Sequence, residues 1–165
     1  MTVTNEPVLD AAHAAFFQIG VSMGIAACTR DAVPVHVRAI GCRISPDRRQ
    51  VTMFVPVGQA EPVLQCIREN GAVAAVFTEP TTHRTVQVKG RDAVQVPLEA
   101  GDLDLVVAYR EAFAQELGRI GFQHAMIGTL LAFPAAEIAG IRFTPAEAYS
   151  QTPGPKAGAP LARTA

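Results

Sequence analysis

Between residues 21 and 28, side chains alternate with a period of two. Val21, Met23, Ile25 and Ala27 fall on one side, and Ser22, Gly24, Ala26 and Cys28 on the other. That period predicts a strand with one bulky face and one small face. A small face lets something approach closely, either a flat ligand ring or a neighbouring helix or subunit. Upstream, Leu9, Ala12, Phe16 and Ile19 follow helical spacing and predict a helix over 9–19, with Asp10 near its start. After a turn at 29–33, a second strand is predicted over 35–44, with Val35, Val37 and Ala39 opposite His36, Arg38 and Ile40. Its alternation slips in phase near Gly41, which reads as a β-bulge. The polar run 45–49 predicts a hairpin turn into an antiparallel strand over 51–57, ended by Gly58.

The second half repeats the same vocabulary. Val63, Leu64 and Ile67 share a helical face over 60–69, with Pro62 in the first turn and Asn70-Gly71 as a stop signal. Residues 72–90 predict two strands joined by a polar loop. Val86, Val88, Val94 and Val96 keep one parity across Gly90, which predicts a single long strand that bends at that glycine. Asp102 is placed to cap a helix whose Val106, Tyr109, Phe113, Leu117 and Ile120 form a buried stripe. A last strand is expected over 138–143, and Thr144-Pro-Ala-Glu147 then has the form of a capping box. Five or six mostly consecutive strands with inserted helices predict a mainly β, α+β fold, an antiparallel barrel rather than a doubly wound parallel sheet. The expected organisation is one domain over 9–150, after a flexible N-terminus at 1–8. The tail at 151–165, rich in Pro, Gly and Ala, either lies across a partner or is mobile.

Composition narrows the chemistry. The chain has 165 residues, with 14 basic against 15 acidic side chains, a balance that favours neither nucleic acid nor an anionic membrane as partner. No uninterrupted apolar run is long enough to span a membrane, and the first residues do not read as a signal peptide, so a cytoplasmic protein is expected. Cys28, Cys42 and Cys66 are odd in number and widely spaced, reading as buried reduced thiols rather than as a disulfide set or a metal knuckle. His13, His36, His83 and His124 are scattered, and no zinc-ligand spacing is present. Glycine-rich nucleotide loops, HExxH and GxSxG are absent as well. What remains is a polar group formed by Arg38, Arg84, Gln87 and Lys89, on strands whose other faces are apolar. Guanidinium suits a phosphate through its paired N–H groups, which makes Arg38 the foremost anion-binding candidate. The same residues also fit the wet side of a half-solvated antiparallel sheet.

The alternating segment Val33-Pro-Val-His-Val-Arg38, the strand pair within 72–90 and the closing Gln151-Thr-Pro-Gly-Pro155 resemble the flavin-binding split-barrel family, which contains the pyridoxamine 5'-phosphate oxidases. The resemblance covers roughly residues 21–155. It implies an antiparallel split β-barrel and a homodimer with FMN in a cleft between subunits. Carried onto this chain, the family's cofactor-binding positions look like Arg38, Ala39 and Ile40, then Phe54 and Val55, then a third group on Gln59, Ala60 and Glu61. Arg38 would hold the phosphate, while Thr85, standing where the family has a glutamine, and Gln87 would contact the isoalloxazine edge or the ribityl chain. The third group departs from the family's serine, arginine and lysine, and a carboxylate at Glu61 would repel a phosphate dianion. The arginine-bearing C-terminal segment of the vitamin B6 oxidases is also missing, so that activity is not expected. The resemblance therefore implies an FMN-dependent oxidoreductase acting on a small-molecule redox substrate. Its alternatives are a haem-binding protein using His36 or His124, a deazaflavin-binding protein, or a dimeric module that has lost its cofactor site.

Overall fold

The computed structural model describes residues 6–161. Among the described residues, nine strands form two sheets, both antiparallel throughout. After helix α1 (Ala11–Phe16) come β1 (Ser22–Cys28), β2 (Pro34–Arg38), β3 (Cys42–Ile44) and β4 (Val51–Pro56). Helix α2 (Val57–Asn70) leads to β5 (Val73–Thr78), β6 (Thr85–Gly90) and β7 (Val94–Val96). The helices α3 (Asp102–Gly118) and α4 (His124–Leu130) precede β8 (Ile138–Phe143) and β9 (Glu147–Ser150). The five-stranded sheet runs β2-β1-β5-β6-β9, and the four-stranded sheet runs β3-β4-β8-β7. The core lies between them, with the Phe17 and Phe77 rings stacked at 3.7 Å between centroids.

Two predicted long strands are each divided between the sheets. The run 35–44 is two strands in different sheets rather than one bulged strand, and the phase slip at Gly41 marks the crossing. Gly41 has φ +147, and the corner is held from both sides. Ala39 N–H donates to the Met23 carbonyl in one sheet, and Ile40 N–H to the Phe54 carbonyl in the other. Likewise β6 and β7 are not one strand, because the chain leaves the first sheet at Gly90. A Cβ there would lie 2.5 Å from Phe143 Cδ2, so only glycine lets the two sheets approach at this corner.

Other boundaries shift for identifiable reasons. The predicted helix over 9–19 contracts to α1, with Asp10 as its N-cap accepting from His13 N–H at 2.7 Å. Gly58 does not end β4 but lies in the first turn of α2, which begins three residues before the predicted start, so Pro62 stands inside the helix. Gly71 at φ +66 closes α2 as expected. Asp102 opens α3 rather than capping it; its carboxylate accepts from Glu99 N–H at 2.8 Å and meets Arg43 Nε at 2.9 Å. Val106, Tyr109 and Phe113 are buried as the stripe predicts, but Ile120 lies beyond the helix and is exposed. The capping-box reading of 144–147 fails. Thr144 N–H donates to Asp92 Oδ1, Ala146 N–H donates to the Lys89 carbonyl, and the chain continues as β9 along β6. The tail folds back on β9, with Gly158 N–H donating to the Ser150 carbonyl and Leu161 N–H to the Ala148 carbonyl. Residues 1–5 and 162–165, the outer parts of the expected flexible ends, fall outside the described residues.

Candidate functional site

Alternation and register together define the surface where the candidate residues meet. In the five-stranded sheet, Met23, Ile25, Val37, Ala75, Phe77, Val86 and Val88 all face the core. The opposite, outer face is therefore built by their neighbours. One row across it runs Arg38, Gly24, Val76, Gln87 and Tyr149. The next runs His36, Ala26, Ala74, Lys89 and Glu147, and on the other side Ser22, Thr78 and Thr85 are aligned. The middle of this face is a shallow plain of small side chains: Ser22, Gly24, Ala26, Ala74, Val76 and Thr78. Polar groups bound it, with Arg38 and His36 at one margin and Thr85, Gln87 and Lys89 at the other. Arg38 and Gln87 stand three strand spacings apart, about 14 Å.

The two margins differ in how their charges are held. On the β6 side, Lys89 Nζ lies 5.0 Å from the centre of the Tyr149 ring, and Tyr149 donates to Glu147 Oε2 at 2.5 Å. That hydrogen bond, joined by the charges of Lys89 and Arg91, holds the Glu147 carboxyl below its ordinary range. Lys89 thus faces a local carboxylate. Gln87 Oε1 receives a long contact, 3.4 Å, from the Gln151 side-chain amide. The Thr85 hydroxyl is 3.0 Å from that of Thr78 and 3.0 Å from the His83 carbonyl, and Thr152 Oγ1 accepts from Thr85 N–H at 2.9 Å. On the β2 side, Arg38 is exposed and forms no ion pair among the described residues. Its guanidinium lies 5.4 Å from the centre of the Phe113 ring on α3. A cation on an aromatic face keeps its N–H edge free for an anion.

His36 folds over the plain. A Cβ on Gly24 would collide with the His36 ring, so the small residue is what lets the imidazole lie there. This explains Gly24, one of the four residues of the small face of β1, by a side chain of the adjacent strand rather than by a helix. His124 sits elsewhere, on the helical hairpin, paired with Glu111 at 3.0 Å.

The remaining candidates are placed as follows. Ala39, Ile40, Phe54 and Val55 are buried at the crossing between sheets, and the N–H groups of Ala39, Ile40 and Phe54 are engaged within the protein. Ala39 and Ile40 follow Arg38 directly in the chain, and Ile40 is hydrogen-bonded to Phe54. Gln59 is exposed in the first turn of α2. Glu61 pairs with Arg68 along the same helix, so part of its charge is answered locally. Arg84 does not join the outer face. It precedes β6 with the opposite parity to Thr85, and its guanidinium lies 4.3 Å from the centre of the Phe16 ring.

Two residues of this site were legible only as core. Tyr109 and Phe113 fit the buried stripe of α3, and nothing in their spacing says that the stripe passes under Arg38. Their rings stack at 5.6 Å with 12° between planes. The Tyr109 hydroxyl is buried beside the Arg38 guanidinium and the Met23 backbone, without hydrogen-bonding geometry to either. Burial pushes its phenol well above the ordinary range, and the Arg38 charge offsets part of that shift. Cys42 and Cys66 are buried, whereas Cys28, expected to be buried, is exposed at the end of β1. Among the described residues, no group of three or more His, Cys, Asp or Glu could hold a metal ion, and no helix is long and apolar enough to cross a membrane.

The sequence matches no protein-family model and no curated protein. Its fold does match solved structures. An F420 reductase superposes with a TM-score of 0.54 at 13% identity, covering 85% of this chain and 98% of that one. HupZ of group A Streptococcus gives 0.53 at 14% identity, covering 91% and 100%. A candidate pyridoxamine 5'-phosphate oxidase from Lactobacillus delbrueckii gives 0.53 at 13% identity, covering 90% and 97%. At such identities the likeness is one of fold, and it extends over nearly all of each chain. This chain therefore has the fold of the pyridoxamine 5'-phosphate oxidase-like proteins.

Proposed function

We propose that this protein binds FMN on the outer face of its five-stranded sheet and serves as a flavin-dependent oxidoreductase for a small-molecule redox substrate. In this reading the two sheets wrap as a split barrel, and two copies meet across the plain of small residues so that the cofactor lies in a cleft between them. The observation that carries it is the pairing of that plain with an exposed, unneutralised Arg38 at its margin. A flat ring system needs a flat apolar surface, and its phosphate needs a cation whose N–H groups are not already occupied. Thr85 and Gln87 stand at the opposite margin, where they would meet polar edges of the ring or the ribityl chain. Ala39, Ile40, Phe54 and Val55 would shape a wall of the cleft, and Gln59 offers an amide from the start of α2.

FMN would supply the redox chemistry; the protein's part is to position the ring and balance its charge. Glu61 weighs less against this reading than its charge alone implies, because Arg68 engages it. The direct test is the visible spectrum of the purified protein, followed by a fluorescence titration with FMN. A flavin spectrum, or quenching that saturates near one FMN per subunit, is expected. Arg38→Ala should weaken FMN binding about 10-fold or more, the scale of a lost charge-assisted hydrogen bond to phosphate. Wild-type affinity in that variant would remove Arg38 from the site.

One observation favours a second reading. His36 reaches from the margin of the outer face over Gly24, where an imidazole nitrogen could meet a flat cofactor. A Soret band on mixing with haem, lost in His36→Ala and retained in His124→Ala, is the outcome that would replace FMN by haem. The likeness to an F420 reductase makes a deazaflavin the next compound to titrate.

A further inference from the structure

Helix α3 packs where Arg38 ends β2, and the inference drawn from this contact rests on the FMN reading above. Arg38 ends β2, and beyond it the chain turns inward to the buried Ala39 and Ile40, while the Arg38 side chain stays exposed. A long exposed arginine normally samples many rotamers, and freezing it on a ligand costs entropy. Here the guanidinium is laid on Phe113 at 5.4 Å, and Phe113 is in turn stacked on Tyr109 at 5.6 Å. The Tyr109 hydroxyl is buried next to the same guanidinium, with no contact in full hydrogen-bond geometry. A buried hydroxyl without a partner is costly. It is satisfied when an Arg38 N–H turns toward it. No carboxylate competes for Arg38 among the described residues.

We infer that Phe113 and Tyr109 are positioning residues that hold Arg38 ready for a phosphate monoester, Phe113 by supporting the guanidinium plane and Tyr109 by accepting one of its N–H groups. The phosphate then meets a preorganised cation. Both residues act through Arg38; neither touches the ligand.

The test compares FMN with riboflavin, which has the same ring and ribityl chain but no phosphate. Affinities of both for the wild type, Arg38→Ala, Phe113→Leu and Tyr109→Phe are measured by flavin fluorescence quenching. Wild type should prefer FMN, and Arg38→Ala should lose that preference. Phe113→Leu should reduce it about threefold, the scale of one exposed cation–π contact, with riboflavin affinity unchanged. Tyr109→Phe should act in the same direction. A preference unaltered in Phe113→Leu and Tyr109→Phe, or FMN and riboflavin weakening together in both, would overturn the inference, since a merely structural role predicts one or the other.

The chain has two tyrosines and no tryptophan, which provides a readout that needs no flavin. In tyrosine-labelled protein, Arg38→Ala and Phe113→Leu should each displace the NMR ring signals of Tyr109 while leaving those of Tyr149 in place. If wild type binds neither flavin, the FMN reading fails, and these spectra still decide whether the clamp exists. Unmoved Tyr109 signals in Arg38→Ala would dismiss it.

Discussion

Cys42 shows how a single side chain links packing to pH. It is buried at the crossing between sheets, where its thiol donates weakly to the Phe17 carbonyl at 3.7 Å. Burial pushes its pKa from 9.0 up to about 12, against a smaller opposing effect from the Gln18 side chain. The folded state disfavours the thiolate that the unfolded chain forms freely. The stabilisation is therefore complete below pH 9 and is lost as pH rises toward 12, by up to about 1.4 kcal/mol per pH unit. Cys42→Ala should cost roughly 1–2 kcal/mol at neutral pH through lost burial. In urea unfolding the gap between it and wild type should narrow steadily above pH 9; a gap independent of pH would show that the thiol does not titrate in the unfolded chain as argued. The exposure of Cys28 leads to a simpler expectation. Iodoacetamide should label one thiol in the native protein and three in denaturant, and rapid labelling of Cys42 without unfolding would contradict the packing.

Among the elements, the sheet-switching corners at Gly41 and Gly90 decide the architecture. A strand that runs straight through either glycine would leave half of its length without partners. At Gly90 the limit is steric, since Phe143 from β8 and the Thr144 carbonyl occupy the space a side chain would need. The ring cannot easily retreat, because it is itself buried. Gly90→Ala should destabilise the fold by roughly 1–3 kcal/mol, the usual penalty for overpacking a core, seen as a lower urea midpoint. Retention of the wild-type midpoint would mean that the corner is more plastic than its geometry implies. Gly24 is a different case. What its Cβ would strike first is the His36 ring, the movable end of a side chain. Substitution there alters the outer face more than the stability.

On the scale of the whole molecule, one face of the five-stranded sheet is committed to the core, and the other is flat, small-featured and only partly exposed. A sheet face without bulky side chains is suited to another flat surface. The proposed homodimer uses it, and Val76 lies at its centre in the row between Gly24 and Gln87. Val76→Glu should convert the dimer to a monomer in light-scattering measurements at micromolar concentration, because two buried carboxylates would face each other across the axis. The folded monomer should persist, since Val76 does not belong to the core. A wild-type monomer, or a variant that dimerises unchanged, would require a different surface for the cleft.

Read alone, the sequence specifies the local periods. The two-residue alternation of β1, the hairpin of β5 and β6, the αL stop at Gly71 and the buried stripe of α3 are all short-range patterns, in which each residue's neighbours along the chain decide its face. It also singled out Arg38 and the small face of β1. The partners were beyond its reach. Residues 35–44 and 86–96 keep a strand-like alternation on both sides of a glycine, so nothing local says that each run changes sheet; that follows from hydrogen bonds to Met23, Phe54 and β8, distant in sequence. Thr144-Pro-Ala-Glu147 has a helix-starting pattern, and pairing with β6 overrides it. Arg84 and Lys89 were read beside Arg38 as charges on one polar face, yet parity removes the first and Glu147 attends the second. Tyr109 and Phe113 meet Arg38 only because α3 packs where Arg38 ends its strand. Local pattern sets which way a side chain points, whereas long-range packing decides what it meets there, and binding chemistry depends on the second.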